Sequence, residues 1–327
     1  MLRSETNWIW DFWLADDGTD FHLFYLHAPR ALGDPDERHW NVRVGHAVSG
    51  DLRNWTQLGD ALGPGEPGAV DDRATWTGSV VRGADGMWTM FYTAASSVEH
   101  GLVQRIASAR SPDLHTWTKD NAAIIEADPR WYEQLPSGQW FDEAWRDPWV
   151  YPDSRGNGWH MLITARASRG DADDRGVIGH ATSPDLRSWN VTAPLSQPGS
   201  GFGHLEVPQV ATIEGRTVLL FSCLSKHLSR GRRTTGQEGG IWTAPISPSP
   251  VTSGPEDFDV AAAAPLTDET LYSGRLITDR TGQWVLLAFH NISGEGFIGE
   301  ISDPILVRWS DTFPPRLVTH TQQRQVA

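Results

Sequence analysis

Among the 327 residues there is a single cysteine, Cys223, which excludes an intramolecular disulfide framework and suits a reducing compartment. It lies in the apolar run Val218-Leu219-Leu220-Phe221-Ser222-Cys223, where a buried strand residue is expected rather than a reactive thiol. Cations are also scarce: 27 Lys and Arg stand against 41 Asp and Glu, a formal net charge of −14. That balance excludes nucleic acid as a partner, because no basic patch offsets it. The one basic cluster, Arg230-Gly231-Arg232-Arg233, is short and reads as a solvated loop. No apolar run approaches the ~18 residues that cross a bilayer, and Met1–Asn7 has no apolar stretch of the signal-peptide kind. The expectation is a cytoplasmic protein with no membrane partner. No two histidines have the helical or tight-hairpin spacing of a zinc site, so neither metal nor cofactor is expected.

What the chain has in abundance is tryptophan, 17 residues, and glycine, 32 residues. Tryptophan at this density fills the core of a repetitive β-fold, or stacks on sugar rings, or does both. A repeat is present. Ser49-Gly50-Asp51-Leu52-Arg53-Asn54-Trp55 returns as Ser111-Pro112-Asp113-Leu114-His115-Thr116-Trp117 and as Ser183-Pro184-Asp185-Leu186-Arg187-Ser188-Trp189. Each copy follows a short strand-like stretch and reads as a tight turn whose tryptophan packs back onto the sheet. Alternating aromatic strands recur as well, at Phe21–Tyr25, Trp88–Tyr92, Trp159–Ile163, Thr217–Phe221 and Trp284–Phe289, each after a Gly-containing turn signal. Five such units of about four strands predict an all-β, five-bladed β-propeller. With no linker and no convincing helix, residues 1–327 read as one catalytic domain.

In a propeller the innermost strands surround a central channel, so residues near their starts converge although they lie far apart in the chain. Three acids stand there in apolar or tryptophan-rich settings. Asp11 lies in Trp8-Ile9-Trp10-Asp11-Phe12-Trp13, Asp147 in Trp145-Arg146-Asp147-Pro148-Trp149, and Glu206 in His204-Leu205-Glu206-Val207-Pro208. A buried carboxylate without partners costs several kcal/mol. The structural alternative for any one of them is a turn cap or an arginine pair. Three at equivalent positions point to chemistry.

These motifs resemble glycoside hydrolase families 32 and 68, the invertases, fructanases and levansucrases. Trp10-Asp11-Phe12-Trp13 is similar to the Trp-Asp-Ser-Trp nucleophile motif of the levansucrase family and departs from the Asn-Asp-Pro-Asn-Gly of the invertases. Arg146-Asp147-Pro148 matches the Arg-Asp-Pro of both. Glu206 followed by Pro208 resembles the acid/base motif, with Val207 in the middle position. His39-Trp40 with Gly45-His46-Ala47-Val48-Ser49 resembles an invertase stretch, and Trp76-Thr77-Gly78-Ser79 looks like the segment lining a fructosyl pocket. The resemblance covers Trp8 to about Trp309. The C-terminal β-sandwich common among invertases has no counterpart in this sequence.

The resemblance implies a retaining β-fructofuranosidase acting on sucrose or short fructo-oligosaccharides, with fructosyl transfer as a second outcome. Asp11 would be the nucleophile, Glu206 the acid/base and Asp147 the transition-state stabiliser. Glu206 then needs a raised pKa, which the apolar neighbours Leu205, Val207 and Pro208 would supply by desolvation. Expected substrate contacts are Trp10, Trp13, Trp76, Thr77, Ser79, Arg146, Trp149, His46 and Tyr272. Asp71, Asp72, Asp142 and Glu143 compete as nearby acids, and Asp171, Asp173 and Asp174 read as a solvated turn or a calcium loop. Two other functions stay open on the residues alone: an inverting arabinofuranosidase or xylosidase on a related propeller, and a non-catalytic sugar-binding propeller. In each case the partner is a small carbohydrate.

Overall fold

The computed structural model describes residues 1–135, 139–246, 257–294, 296–309, 314 and 316–318. Five antiparallel sheets form in chain order. The first holds β1 (Asn7–Asp16), β2 (Phe21–Pro29), β3 (Arg43–Ser49) and β4 (Thr56–Leu62), and the second β5 (Ala74–Arg82), β6 (Trp88–Ala95), β7 (Gln104–Ser111) and β8 (Thr118–Ile125). The third holds β9 (Trp145–Pro152), β10 (Trp159–Arg166), β11 (Gly176–Ser183) and β12 (Asn190–Thr192). The fourth holds β13 (Glu206–Ile213), β14 (Arg216–Cys223), β15 (Gly240–Pro245) and β16 (Ala264–Pro265). In the fifth, β17 (Leu271–Thr278) pairs with β18 (Trp284–Ser293), whose other edge is shared by β19 (Gly296–Ile301) and β20 (Ile305–Arg308), and β20 pairs with β21 (Arg316–Val318).

The first strands of the blades touch in a closed cycle, β1 to β5, β9, β13, β17 and back to β1. This is the five-bladed propeller the repeats predicted. Leu2 closes the ring by pairing with Ile301 in the last blade, and Arg30 reinforces it with a bond from Nη2 to the carbonyl of Ile298 at 2.9 Å. The predicted single domain runs past residue 318 into 319–327, which lie outside the described residues. No helix among the described residues is long and apolar enough to cross a membrane.

The repeated turn has a common mechanism. Asp51 Oδ1 accepts from the amides of Arg53 and Asn54 at 2.9 and 2.8 Å, and Asp113 and Asp185 do the same for the residues two and three ahead. That chain reversal forces Leu52, Leu114 and Leu186 to φ of 62°, 66° and 66°, an unfavourable region for leucine. Burial of all three side chains offsets the strain. Two of the tryptophans that follow pack on the sheet of the preceding blade. Trp117 meets Phe24 of the first blade edge-to-face at 5.5 Å, and Trp189 meets Phe91 of the second at 5.2 Å. Each stitches its blade to the preceding one, because the apolar cores lie between sheets rather than within them. A lone sheet has two faces and can bury them only against its neighbours.

Arg230–Thr234 forms one turn of α-helix, where a solvated loop was expected. Arg232 lies over the Phe202 ring at 4.2 Å and donates to the carbonyl of Ser200, so its aliphatic stem is packed while its charge is satisfied. Asp173 and Asp174 accept from the amides of Arg230, Gly201 and Phe202, and thus tie that loop together.

Candidate active site

Every innermost strand carries a register shift at the same depth of the channel. The shifts fall at Trp10-Asp11, Thr77, Asp147-Pro148, Val207-Pro208 and Ser273-Gly274. A bulge turns side chains that would alternate away from the channel towards it. Asp147, Val207 and Ser273 have φ of 57°, 54° and 48°, and for a β-branched valine this is strained. The amides freed from the ladder find side-chain acceptors. Asp147 N donates to Thr93 Oγ1 at 2.9 Å, Val207 N to Asp147 Oδ2 at 3.2 Å, and Ser273 N to Ser222 Oγ at 3.0 Å. Arg275, buried in the channel, donates to the carbonyls of Val207 and Pro208 at 3.2 and 2.9 Å. The positive-φ residues of these three bulges therefore keep their amides hydrogen-bonded.

Asp11, Asp147 and Glu206 line one cavity of about 460 Å³ at these bulges. Their register differs from the equivalence expected. Glu206 is the last paired residue before its bulge, Asp147 is the first bulged residue, and Asp11 is the second. Asp11 is held from both sides by Thr77 Oγ1 and Ser273 Oγ, each donating at 2.6 Å. Asp147 Oδ2 accepts from Thr164 Oγ1 at 2.8 Å. Glu206 is clamped: Arg146 Nη2 donates to Oε1 at 2.6 Å and the Tyr272 hydroxyl donates to Oε2.

Five of the nine expected contact residues line the cavity: Trp10, Trp76, Thr77, Arg146 and Tyr272. Four do not. Trp13 is fully buried and stacks on Phe24 at 6.2 Å. Ser79 is also buried, its hydroxyl accepting from Val150 N at 3.1 Å to join the second blade to the third. Trp149 lies 5.1 Å from the Arg275 guanidinium. His46 belongs to an imidazole pair inside the first blade, with its Nε2 3.0 Å from His22 Nδ1, and the third blade repeats that pair as His160 and His180. The bulges explain the misplacement of Trp13 and Trp149: each lies two residues past a channel acid, on the same face in a regular strand, but the register shift between them breaks the alternation.

Sequence reading missed several lining residues. Arg38, His39 and Trp40 come from the 3₁₀ segment Pro35–Trp40 between β2 and β3, where the carbonyl of His39 accepts from Trp76 Nε1 at 2.8 Å. Gln104 comes from the start of β7, His227 from the Ser225–His227 turn, and Phe141 from the segment ahead of β9. Of the competing acids, Asp142 lines the cavity, whereas Asp72 decorates a loop, accepting from Gly68 and Ser97. Asp71 is buried in an ion pair with Lys119, and Glu143 accepts from Leu135 N.

The proton distribution is the reverse of the one the sequence suggested. Burial pushes Asp11 up despite its two hydroxyl donors. Burial also raises Asp147 to about 7, with Arg146 opposing the shift and the charges of Asp11 and Glu206 adding to it. For Glu206 burial again acts upward, but the hydrogen bond from the His204 side and the Arg146 guanidinium outweigh it and hold the carboxyl well below its ordinary value. Desolvation by apolar neighbours does not decide Glu206; the His204 side chain and a guanidinium 60 positions away in sequence do.

Asp147 has a consequence for stability. It ionises near 3.8 when unfolded and near 7 when folded, so between those values folding takes up a proton. Stability therefore falls as pH rises from about 4 to about 7, by on the order of 2–4 kcal/mol. Asp147→Asn keeps an acceptor for Thr164 and Val207 and removes the charge. Its melting temperature is expected to exceed that of the native protein at pH 8, with the gap closing towards pH 4.5. A gap independent of pH across calorimetric scans would refute the raised value.

His204, Glu206 and His227 come within 4.8 Å of one another, two imidazoles and a carboxylate with the chemistry to hold a transition-metal ion. Arg146 Nη2 already contacts both Glu206 Oε1 and His204 Nδ1, at 2.6 and 3.1 Å. A fixed cation on the donor atoms opposes a metal there, so the trio reads as one charge network. Burial lowers His204 to about 3 and keeps it neutral.

Residues 4–245 match the glycosyl hydrolases family 32 N-terminal domain. Among curated proteins the chain is similar to beta-fructofuranosidase 1 of Zea mays, 33% identical over 38% of this chain and 20% of that protein. It is also similar to a fructan 6-exohydrolase of Beta vulgaris, 28% identical over 58% of this chain and 29% of that one. These matches span about a fifth to a third of the relatives' length. The fold is similar to that of an inulosucrase from Halalkalicoccus jeotgali bound to kestose, with a TM-score of 0.76 at 20% identity over 97% of this chain and 90% of that one. Since the matched domain takes in all three acidic motifs, the first three blades and three strands of the fourth, the chain belongs to glycosyl hydrolase family 32.

Proposed function

We propose that the protein hydrolyses β-fructofuranosides, sucrose or short fructo-oligosaccharides, by retaining double displacement, with fructosyl transfer as the competing fate of the intermediate. The observation that carries this reading is the convergence of Asp11, Asp147 and Glu206 on one cavity, with Glu206 clamped between Arg146 and Tyr272. The names of the relatives support the same substrate class.

Asp11 attacks the anomeric carbon while Glu206 gives its proton to the departing oxygen. A covalent glycosyl–Asp11 ester forms and the leaving sugar departs as an alcohol. Glu206, now ionised, takes a proton from water, whose oxygen displaces Asp11. The resting protein holds its proton nearer Asp147 and Asp11 than Glu206. Sugar hydroxyls that donate to Asp147 and Asp11 favour their charged forms, and the displaced proton passes to Glu206. Substrate binding thus sets the protonation state that chemistry needs. Trp10 and Trp76 supply apolar walls. NMR analysis of products from sucrose, inulobiose and levanbiose, with nitrophenyl pentosides in parallel, tests the reading. Release of the fructosyl unit with retained configuration is expected. Turnover of the pentosides alone, or inversion, would overturn it.

A further inference from the structure

Arg146 is not devoted to Glu206. Its Nη2 holds the glutamate, while its Nη1 donates to Gln104 Oε1 at 3.0 Å and lies 3.4 Å from Asp142 Oδ2. Gln104 Nε2 donates to the same Asp142 oxygen at 2.8 Å, which closes a buried three-membered network. Beside the catalytic trio and Asp36, Asp142 is a fifth carboxylate in the cavity wall, 8% exposed, and its Oδ1 has no partner among the described residues. A buried carboxylate so placed is costly unless the cation beside it is shared.

We propose that Asp142, oriented by Gln104, is a positioning residue that divides the Arg146 charge between itself and Glu206 and so keeps Glu206 able to act as a proton donor. The inference rests on the acid/base reading of Glu206. A guanidinium neutralised by one carboxylate alone would hold that carboxylate ionised; two carboxylates competing for it weaken the hold on each.

Other groups around Glu206 must be distinguished from this effect. From β9, Asp147 lies 3.7 Å from Arg146 Nε, and from β17 Tyr272 donates its hydroxyl. His204, ahead of β13, stays neutral, and burial keeps the Cys223 thiol at the end of β14 protonated. Lys226 and His227 line the cavity from the Ser225–His227 turn, and Asp36, Arg38 and His39 from the Pro35–Trp40 turn, with Asp11 across the channel. Asp142 is the carboxylate that meets Arg146 at Nη1, beside the neutral Gln104.

The test compares pH profiles of kcat and kcat/KM for sucrose in the native chain, Asp142→Asn, Asp142→Glu and Glu206→Gln. In Asp142→Asn, Arg146 loses the carboxylate at Nη1 and keeps Glu206 at Nη2, with Asp147 beside Nε. The alkaline limb should move down by about one pH unit and kcat at pH 7 should drop about tenfold, with KM little changed. Asp142→Glu should restore much of the native limb. A raised KM with an unmoved limb would make Asp142 a substrate contact and overturn the proposal. If Glu206→Gln loses activity while Asp142→Asn behaves as native, the positioning role falls and the acid/base reading stands. If Glu206→Gln is as active as the native chain, or none of the fructosides is turned over, the acid/base reading falls and the proposal falls with it.

Discussion

Asp11→Asn is expected to lower turnover of sucrose by on the order of 10⁴–10⁶-fold, the loss that follows removal of a covalent nucleophile. The fold should survive. Ser273 and Thr77 donate to the two Asp11 oxygens, and an asparagine retains one acceptor while the other hydroxyl can rotate to accept from its amide. Both chemical steps pass through the Asp11 ester, so neither an activated leaving group nor an added nucleophile should restore the rate. Initial rates with sucrose and with an aryl fructoside, alongside a thermal melt, measure this. Activity within tenfold of native in a folded variant would remove Asp11 from the chemistry.

Glu206→Ala should leave a different remnant. Loss of a positioned general acid costs about 10²–10⁴-fold with a poor leaving group such as the glucose of sucrose. An aryl leaving group needs little protonation, so its first step should persist and the glycosyl–Asp11 ester should accumulate. Azide should then rescue turnover by attacking the ester. The structure gives a specific reason: removing the carboxylate leaves Arg146 and the Tyr272 hydroxyl facing an empty, anion-sized space. Fructosyl azide detected by mass spectrometry is the expected product. If azide rescues Asp11→Ala instead and leaves Glu206→Ala inactive, the two roles exchange.

Much of this architecture was legible in the chain because it is local and repeated. The Ser-X-Asp-Leu turn encodes its own hydrogen bonds within four residues, since Asp51, Asp113 and Asp185 each cap the amides just ahead of them. Aromatic strands at regular spacing likewise announce five blades. Asp11, Asp147 and Glu206 were legible for a related reason: an acid among apolar residues on a buried strand is costly enough to require an explanation. Tertiary structure alone decided what surrounds them. Bulges choose which neighbours share the channel, so Trp10 faces the cavity while Trp13, three residues on, is core. Arg146 reaches Glu206 across 60 positions and Asp142 meets Gln104 across 38, contacts that no local pattern contains. The pKa of a buried carboxylate depends on where the nearest cation is held. Local sequence predicted a desolvated, raised Glu206; the fold turned the His204 side chain towards it and set the Arg146 guanidinium 2.6 Å away, and together they lowered it instead.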